Sequence, residues 1–179
     1  MNKCTLIILA SGFSRRFTSN KLLYELKGKK LIEYAFEKGE MFSSVFVVTQ
    51  YEKVADLAKE YGYTVIWNEH PEYGQGYSVA LGVMHCRSDS CVLMVADMPY
   101  LKKDTLEKLL SFEKQNQIVI CEYNGILCNP MLLPKKYFSL AKQLKNDRGA
   151  KQLIGDDPYL TVSLSDGEFK DIDTRKEAV

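Results

Sequence analysis

The chain has 179 residues, of which 46% are hydrophobic and 26% are charged, and its formal net charge is +1. This composition is ordinary for a globular protein and argues against a disordered, collagen-like or coiled-coil chain. The length fits one domain with a sizeable core, so we expect residues 1–179 to form one domain. The even charge balance argues against a protein that binds nucleic acid or an anionic membrane.

The cysteines and the N-terminus indicate where the protein resides. The chain has five cysteines without CxxC spacing, which argues against a disulfide framework or a structural zinc site. The apolar run at residues 5–10 is too short for the hydrophobic region of a signal peptide. No run approaches the roughly 18 apolar residues that span a bilayer. We therefore expect a cytoplasmic protein.

Short apolar runs alternate with amphipathic stretches along most of the chain. In chain order, this pattern predicts a strand at 5–9, a helix at 30–41, a strand at 44–48, a helix at 52–61, a strand at 63–67, a helix at 74–86, a strand at 91–96, a helix at 105–112, strands at 117–121 and 126–133, helices at 134–144 and 149–154, and a strand at 159–164. Because Pro130 interrupts one strand, we expect that strand at a sheet edge.

The alternation of strands and helices is typical of βαβ units. We predict a three-layer α/β/α fold with a mostly parallel, Rossmann-like sheet. Ligands of such sheets bind beyond the carboxyl ends of the strands, at the switch point of the topology. The residues that follow Leu9, Trp67 and Ala96 are therefore the first candidates for a binding site.

The loop after the first strand combines small residues with two cations. Small residues let the backbone approach an anion, and successive N–H groups can point at phosphate oxygens. Arg16 supplies a planar set of donors and Lys21 a mobile point charge, which together suit a triphosphate. The segment lacks the spacing of a Walker A loop, a Rossmann glycine fingerprint or a nucleophile elbow. A surface loop with solvated arginines is the alternative.

Two further polar features follow predicted strands. Asp97 ends a buried strand and is well placed to hold Mg²⁺, which takes one or two protein carboxylates together with substrate phosphates. The alternative for Asp97 is a capping role before Pro99. The second feature joins the end of a predicted strand to the start of a predicted helix and contains Asn68, Gly74 and Ser78. Backbone amides there could form hydrogen bonds with the edge of a nucleotide base, and the Ser78 hydroxyl could bond a base or ribose. The alternative there is a glycine-rich turn with Ser78 as a helix cap.

Alternating carboxylates lie near the C-terminus, at Asp171 and Asp173. A short extended piece would put both on one face, because successive side chains of an extended chain point in opposite directions. Asp173 could complete a metal site or hold a loop. A solvated tail is the alternative.

In combination these residues resemble the MobA-like nucleotidyltransferases, which transfer a nucleoside monophosphate from an NTP to a phosphate and release pyrophosphate. The similar segments are, in order, residues 9–23, 74–82, 97–99, 129–130, 146–151 and 171–174. The chain departs from the family pattern at Thr18, Ala96, Cys128, Asn146 and Lys151. The molybdenum cofactor cytidylyltransferases (MocA type) are the most similar branch. The implied fold is that of the nucleotide-diphospho-sugar transferases.

This resemblance implies CTP as donor, molybdopterin as acceptor and Mg²⁺ as cofactor, with a molybdenum hydroxylase as a partner that could use the product. It implies catalytic roles for Arg16, Lys21 and Asp97, and metal ligation by Asp97 and Asp173. The implied nucleotide contacts are Leu9, Ala10, Ser11, Gly12, Arg16, Lys21, Asn68, Gly74 and Ser78. Residues up to about 100 would bind the nucleotide and the remainder the acceptor.

Two alternatives stay open at this point. One is the same chemistry with another NTP or acceptor, such as guanylyl transfer to molybdopterin, or transfer to a sugar phosphate or methylerythritol phosphate. The other is a non-catalytic accessory protein of a molybdenum hydroxylase, for which Thr18 and Asn146 are the supporting departures.

Overall fold

The computed structural model describes residues 4–13 and 20–170. The strands are β1 (Thr5–Ala10), β2 (Glu25–Leu26), β3 (Lys29–Lys30), β4 (Ser44–Thr49), β5 (Thr64–Trp67), β6 (Ser90–Val95), β7 (Ile118–Tyr123), β8 (Ile126–Pro134) and β9 (Tyr159–Ser163). The α-helices are α1 (Leu31–Phe36), α2 (Glu52–Glu60), α3 (Gly74–His85), α4 (Lys103–Ser111) and α5 (Phe138–Ala141). Short 3₁₀ helices lie at Lys21–Leu23, Glu37–Met41, Pro71–Tyr73, Glu113–Gln115, Lys135–Tyr137 and Gly149–Leu153.

The main sheet has seven strands in the order β5-β4-β1-β6-β8-β7-β9. Strand β8 is antiparallel to β6 and β7, and the other neighbouring pairs are parallel. From β1 the chain winds outward to β4 and β5 and then returns to β6 on the other side of β1. The switch point of the topology therefore lies between the carboxyl ends of β1 and β6.

The two faces of the sheet are covered by different helices. Leu6 and Ile8 of β1 pack in a core cluster with residues of α1, α2 and α4. Ile7 and Leu9 pack in a second cluster with residues of α3 and α5. This alternation follows from the pleat, which turns successive side chains to opposite faces. The predicted three-layer α/β/α fold with a mostly parallel sheet is confirmed.

The prediction of an edge position for the strand with Pro130 is wrong. Strand β8 lies between β6 and β7. Its register with β7 shifts between the pairs Ile120–Met131 and Cys121–Cys128, so Asn129 and Pro130 have no partner in β7. Proline cannot donate to a strand ladder, and an irregularity of this kind is a place where it costs no hydrogen bond.

Two local differences from the predicted elements lie between β1 and β4 in the chain. The helix predicted at 30–41 is an α-helix only to Phe36 and continues as a 3₁₀ helix to Met41. The β2–β3 hairpin before it was not predicted. Its turn residues Lys27 and Gly28 have φ values of 50° and 85°, which is the conformation that a two-residue hairpin turn favours.

Within residues 4–13 and 20–170, no helix has the length and apolarity to cross a membrane. All five cysteines lie in these ranges and are free thiols, as the sequence predicts.

Candidate active site

A pocket of about 340 Å³ opens at the switch point between β1 and β6. Its walls come from the loop after β1, the 3₁₀ turn Lys21–Leu23, the start of α3 and the end of β6. Eight residues predicted to bind or catalyse line it, namely Leu9, Ala10, Ser11, Gly12, Lys21, Gly74, Ser78 and Asp97. The structure thus brings together candidates that are far apart in the sequence. Arg16 and Asp173 lie outside the described residues.

The loop after β1 is held by three side chains at and just beyond the end of β4. The bonds run from Thr49 Oγ1 to the Ala10 carbonyl (3.1 Å), from Gln50 Nε2 to the Ser11 carbonyl (2.7 Å) and from Tyr51 Oη to the Gly12 carbonyl (2.7 Å). In a trans peptide the N–H points away from the C=O of the same unit. The N–H groups of these three peptide units therefore point away from the β4 side. Such a row of N–H groups is suited to binding an anion.

Lys21 and Asp97 form an ion pair inside the pocket. The Lys21 Nζ lies 2.6 Å from Asp97 Oδ2, and the two side chains are only 13% and 19% exposed. Asp97 lies two residues beyond the end of β6. Lys21 begins a 3₁₀ turn in which the Asn20 side chain accepts a hydrogen bond from the Leu22 N–H at 3.0 Å. Two predicted catalytic residues are thus in direct contact.

The donor chemistry of the pocket suits Mg²⁺. Among the described residues, no group of three His, Cys, Asp or Glu side chains could by itself hold a metal ion. Mg²⁺ does not need such a group, because it commonly takes one or two carboxylates and completes its shell with waters and substrate phosphates. Asp97 supplies one carboxylate on the pocket wall. The residues present therefore fit an ion that is shared with a bound triphosphate.

Asn68 does not line the pocket but contacts Ser78, which does. It is only 1% exposed, and its Nδ2 donates to Ser78 Oγ at 3.1 Å. Its Oδ1 accepts from the His70 N–H at 3.0 Å, which shapes the turn after β5. These bonds hold the Ser78 hydroxyl at the pocket wall. Direct contact of Asn68 with a nucleotide stays a prediction.

Asp147 also lines the pocket, although the sequence pattern did not predict it as a site residue. The loop that carries Asp147 packs on the start of α3, where the Gly76 N–H donates to the Asn146 carbonyl at 2.7 Å. Gly74 has a φ of 82°, and a Cβ there would lie 2.7 Å from the Asn146 carbonyl carbon. The available signal was the pair of glycines at the helix start, since such glycines mark a close approach of another backbone. Other pocket residues that were not predicted are Phe13, Leu22, Pro71, Glu72, Gln75, Val95 and Ala96.

The chain matches the family model of the MobA-like NTP transferase domain over residues 6–162. It is 30% identical to the purine catabolism protein PucB of Bacillus subtilis, over 96% of this chain and 92% of that protein. It is 32% identical to a probable molybdenum cofactor guanylyltransferase of Aquifex aeolicus, over 62% of this chain and 54% of that protein.

Among solved structures, a nucleotidyl transferase from Methanothermobacter shares the fold, with a TM-score of 0.86 at 17% identity over 99% of this chain and 94% of that one. The family match covers both the loop after β1 and the Asp97 segment. The resemblance seen in the sequence is therefore confirmed. The chain belongs to the MobA-like NTP transferase family, and it is a nucleotidyltransferase.

Proposed function

We propose that this nucleotidyltransferase transfers CMP from CTP to the phosphate of molybdopterin, with Mg²⁺ as cofactor and release of pyrophosphate. The observation that carries the proposal is the juxtaposition of the β1 loop, Lys21 and Asp97 at the switch point. The resemblance to the cytidylyltransferase branch supports CTP. The printed name of the Aquifex relative supports a molybdenum cofactor as acceptor.

The acceptor phosphate is already ionised near neutral pH, so the reaction needs no strong general base. A phosphate oxygen attacks the α-phosphorus of the nucleotide in line, and the bond to pyrophosphate breaks. The work of the protein is then to position the two phosphates and to stabilise negative charge. Lys21 would neutralise charge on the α-phosphate and the leaving pyrophosphate. We propose the same role for Arg16.

Asp97 would hold Mg²⁺ in this proposal, with Asp173 as a second ligand. When bound, the ion supplies positive charge that lowers the cost of charge on the phosphates. The backbone N–H groups after β1 would hold the triphosphate. Ser78 and the turn at Gly74 would contact the ribose or base.

GTP is the second candidate donor, because the Aquifex relative is named a guanylyltransferase. The two donors differ in the base alone, so the phosphate-binding half of the site would serve either. The acceptor would be unchanged. With CTP as the donor, we propose a molybdenum hydroxylase as the partner that uses the product.

The deciding experiment measures pyrophosphate release with CTP, GTP, ATP and UTP, each with and without molybdopterin. We expect release with CTP that requires both molybdopterin and Mg²⁺. Release with GTP and molybdopterin but not with CTP and molybdopterin would overturn CTP as the proposed donor. A parallel series offers a sugar phosphate or methylerythritol phosphate in place of molybdopterin, and release there but not with molybdopterin would overturn the proposed acceptor. Asp97→Asn serves as the inactive control.

A further inference from the structure

We infer that Lys21 is an internal counter-ion for Asp97 that keeps divalent cations off this carboxylate until a nucleotide is bound. The inference rests on the proposed function, in which Asp97 holds Mg²⁺ and Lys21 contacts phosphate. It adds an order of events: the nucleotide binds with or before the metal, and the metal does not occupy Asp97 in the free protein.

The geometry makes Lys21 and a metal ion competitors. The Lys21 ammonium lies 2.6 Å from Asp97 Oδ2. Mg²⁺ binds carboxylate oxygens at about 2.0–2.1 Å, so both cations on one carboxylate would lie within a few ångströms of each other. Since both side chains are mostly buried, solvent screens this repulsion poorly. A metal can therefore bind Asp97 well only if Lys21 moves away.

Lys21 can move without a change in the backbone. The turn that carries it is anchored by the Tyr24 N–H, which donates to the Lys21 carbonyl at 3.0 Å, and by Leu22, which is 4% exposed. The lysine ammonium sits on a flexible four-carbon stem with rotatable donors, so it can exchange one anionic partner for another. The backbone anchor keeps that exchange inside the pocket.

The charges around the pocket explain why a nucleotide would trigger the exchange. Of the lining residues that the structure describes, Asp97, Glu72 and Asp147 are acidic and Lys21 is basic. The ammonium neutralises part of this negative charge in the free protein. A triphosphate brings several further negative charges to the same space and offers Lys21 a stronger partner. The carboxylate of Asp97 is then released to the metal that accompanies the phosphates.

The test is direct binding of Mn²⁺, followed by the loss of the electron paramagnetic resonance signal of the free ion. It compares wild type, Lys21→Met, Lys21→Gln, Asp97→Asn and the double variant Lys21→Met/Asp97→Asn, without nucleotide. Lys135→Met is the matched control, because it removes an exposed lysine that pairs with Asp89 at 3.2 Å. A second series adds the non-reactive α,β-methylene analogues of CTP and GTP.

We expect wild type and Lys135→Met to bind Mn²⁺ weakly without nucleotide. Both Lys21 variants should bind it about tenfold or more tightly, because a like charge beside the carboxylate is gone. The double variant Lys21→Met/Asp97→Asn should not show this gain in Mn²⁺ affinity. An unchanged or weaker Mn²⁺ affinity in both Lys21 variants would overturn the inference, as would wild-type binding as tight as theirs.

These outcomes separate the inference from the proposed reaction. The Mn²⁺ titration without nucleotide requires neither an acceptor nor turnover. If no acceptor supports pyrophosphate release but the Lys21 variants gain affinity through Asp97, the counter-ion role stands and the proposed reaction fails. If turnover occurs and the variants gain nothing, the reaction stands and the counter-ion role fails.

Discussion

The carbonyl oxygen of Asn146 accepts a hydrogen bond from the backbone N–H of Gly76 at 2.7 Å. The first N–H groups of an α-helix lack intrahelical partners, so this bond satisfies one of them at the start of α3. It also holds the loop of Asp147 against the wall that Gly74 forms. Two distant parts of the chain thus build one side of the pocket.

Gly74→Ala should damage this wall specifically. Gly74 has φ 82° and ψ −177°, and an added Cβ would approach the Asn146 carbonyl carbon at 2.7 Å and the Asp147 nitrogen at 2.8 Å. We expect a loss of about 1–3 kcal/mol in the free energy of unfolding from the backbone strain. We also expect weaker nucleotide binding, because the Asp147 loop must shift.

Gly28→Ala is the control for Gly74→Ala. Its φ is similar, at 85°, but an added Cβ would meet no heavy atom within 4 Å. Urea denaturation should show a loss for both variants, whereas calorimetric nucleotide titration should show weaker binding for Gly74→Ala alone. Equal nucleotide affinities in the two variants would contradict the role of the wall.

Replacement of either member of the central ion pair should abolish most activity. Lys21→Ala or Asp97→Ala should lower kcat by about two to three decades, the order seen when one electrostatic stabiliser is removed. The measurement is pyrophosphate release at saturating substrates. Lys135→Ala, which breaks the exposed pair with Asp89, should leave kcat unchanged. Near-normal turnover in either pocket variant would refute the assigned roles.

Tyr51→Phe should weaken nucleotide binding through the β1 loop. The Tyr51 hydroxyl donates to the Gly12 carbonyl at 2.7 Å, and its loss frees the loop that would hold the triphosphate. A hydrogen bond of this kind contributes about 0.5–1.5 kcal/mol, so KM for the nucleotide should rise about two- to tenfold. Steady-state kinetics would show the change in KM with little change in kcat.

Tyr34→Phe is the matched control for Tyr51→Phe. It removes a tyrosine bond of the same length, from Tyr34 Oη to the Leu26 carbonyl, that does not hold the β1 loop. A rise in KM of equal size in both variants would mean that general destabilisation is the cause.

Glu168 should make the free energy of unfolding depend on pH in the acidic range. Burial raises the pKa of Glu168, but hydrogen bonds from Ser165, Thr105 and the Lys102 N–H lower it, and the net pKa lies below the ordinary value of 4.5. A carboxyl whose folded pKa is depressed stabilises the protein above its unfolded pKa, and this contribution is lost as pH falls through the folded pKa. The loss therefore occurs below about pH 4.5.

Glu168→Gln should remove this dependence. It should lower the free energy of unfolding near pH 7 by about 1–3 kcal/mol, because the amide cannot accept every bond that the carboxylate accepts. Urea denaturation between pH 3 and pH 7 should show that the free energy of unfolding falls less steeply at acidic pH for Glu168→Gln than for wild type. Glu60→Gln, at an exposed position, should keep the wild-type profile. If the free energy of unfolding falls as steeply at acidic pH in Glu168→Gln as in wild type, other carboxyl groups control this pH dependence.

Most of the fold could be predicted because its signals are local. Apolar runs with a period of two or 3.6 residues mark strands and helices, and their alternation indicates a parallel sheet. Candidate site residues could be placed for a related reason. A residue that follows a buried parallel strand must lie at the carboxyl edge of the sheet, so Gly12 and Asp97 were predicted at one end of the molecule. The roles of Arg16 and Asp173 stay predictions.

The amino-acid sequence by itself thus determined the layers, the edge of the sheet that binds ligands and the residue types available there. Only the tertiary structure decided that β8 lies between β6 and β7, that Asp147 enters the pocket and that Lys21 pairs with Asp97 across 76 residues. Periodicity and spacing report on neighbours within a few residues. Strand order and loop docking depend on which surfaces pack together, and that is settled by the burial of the whole chain.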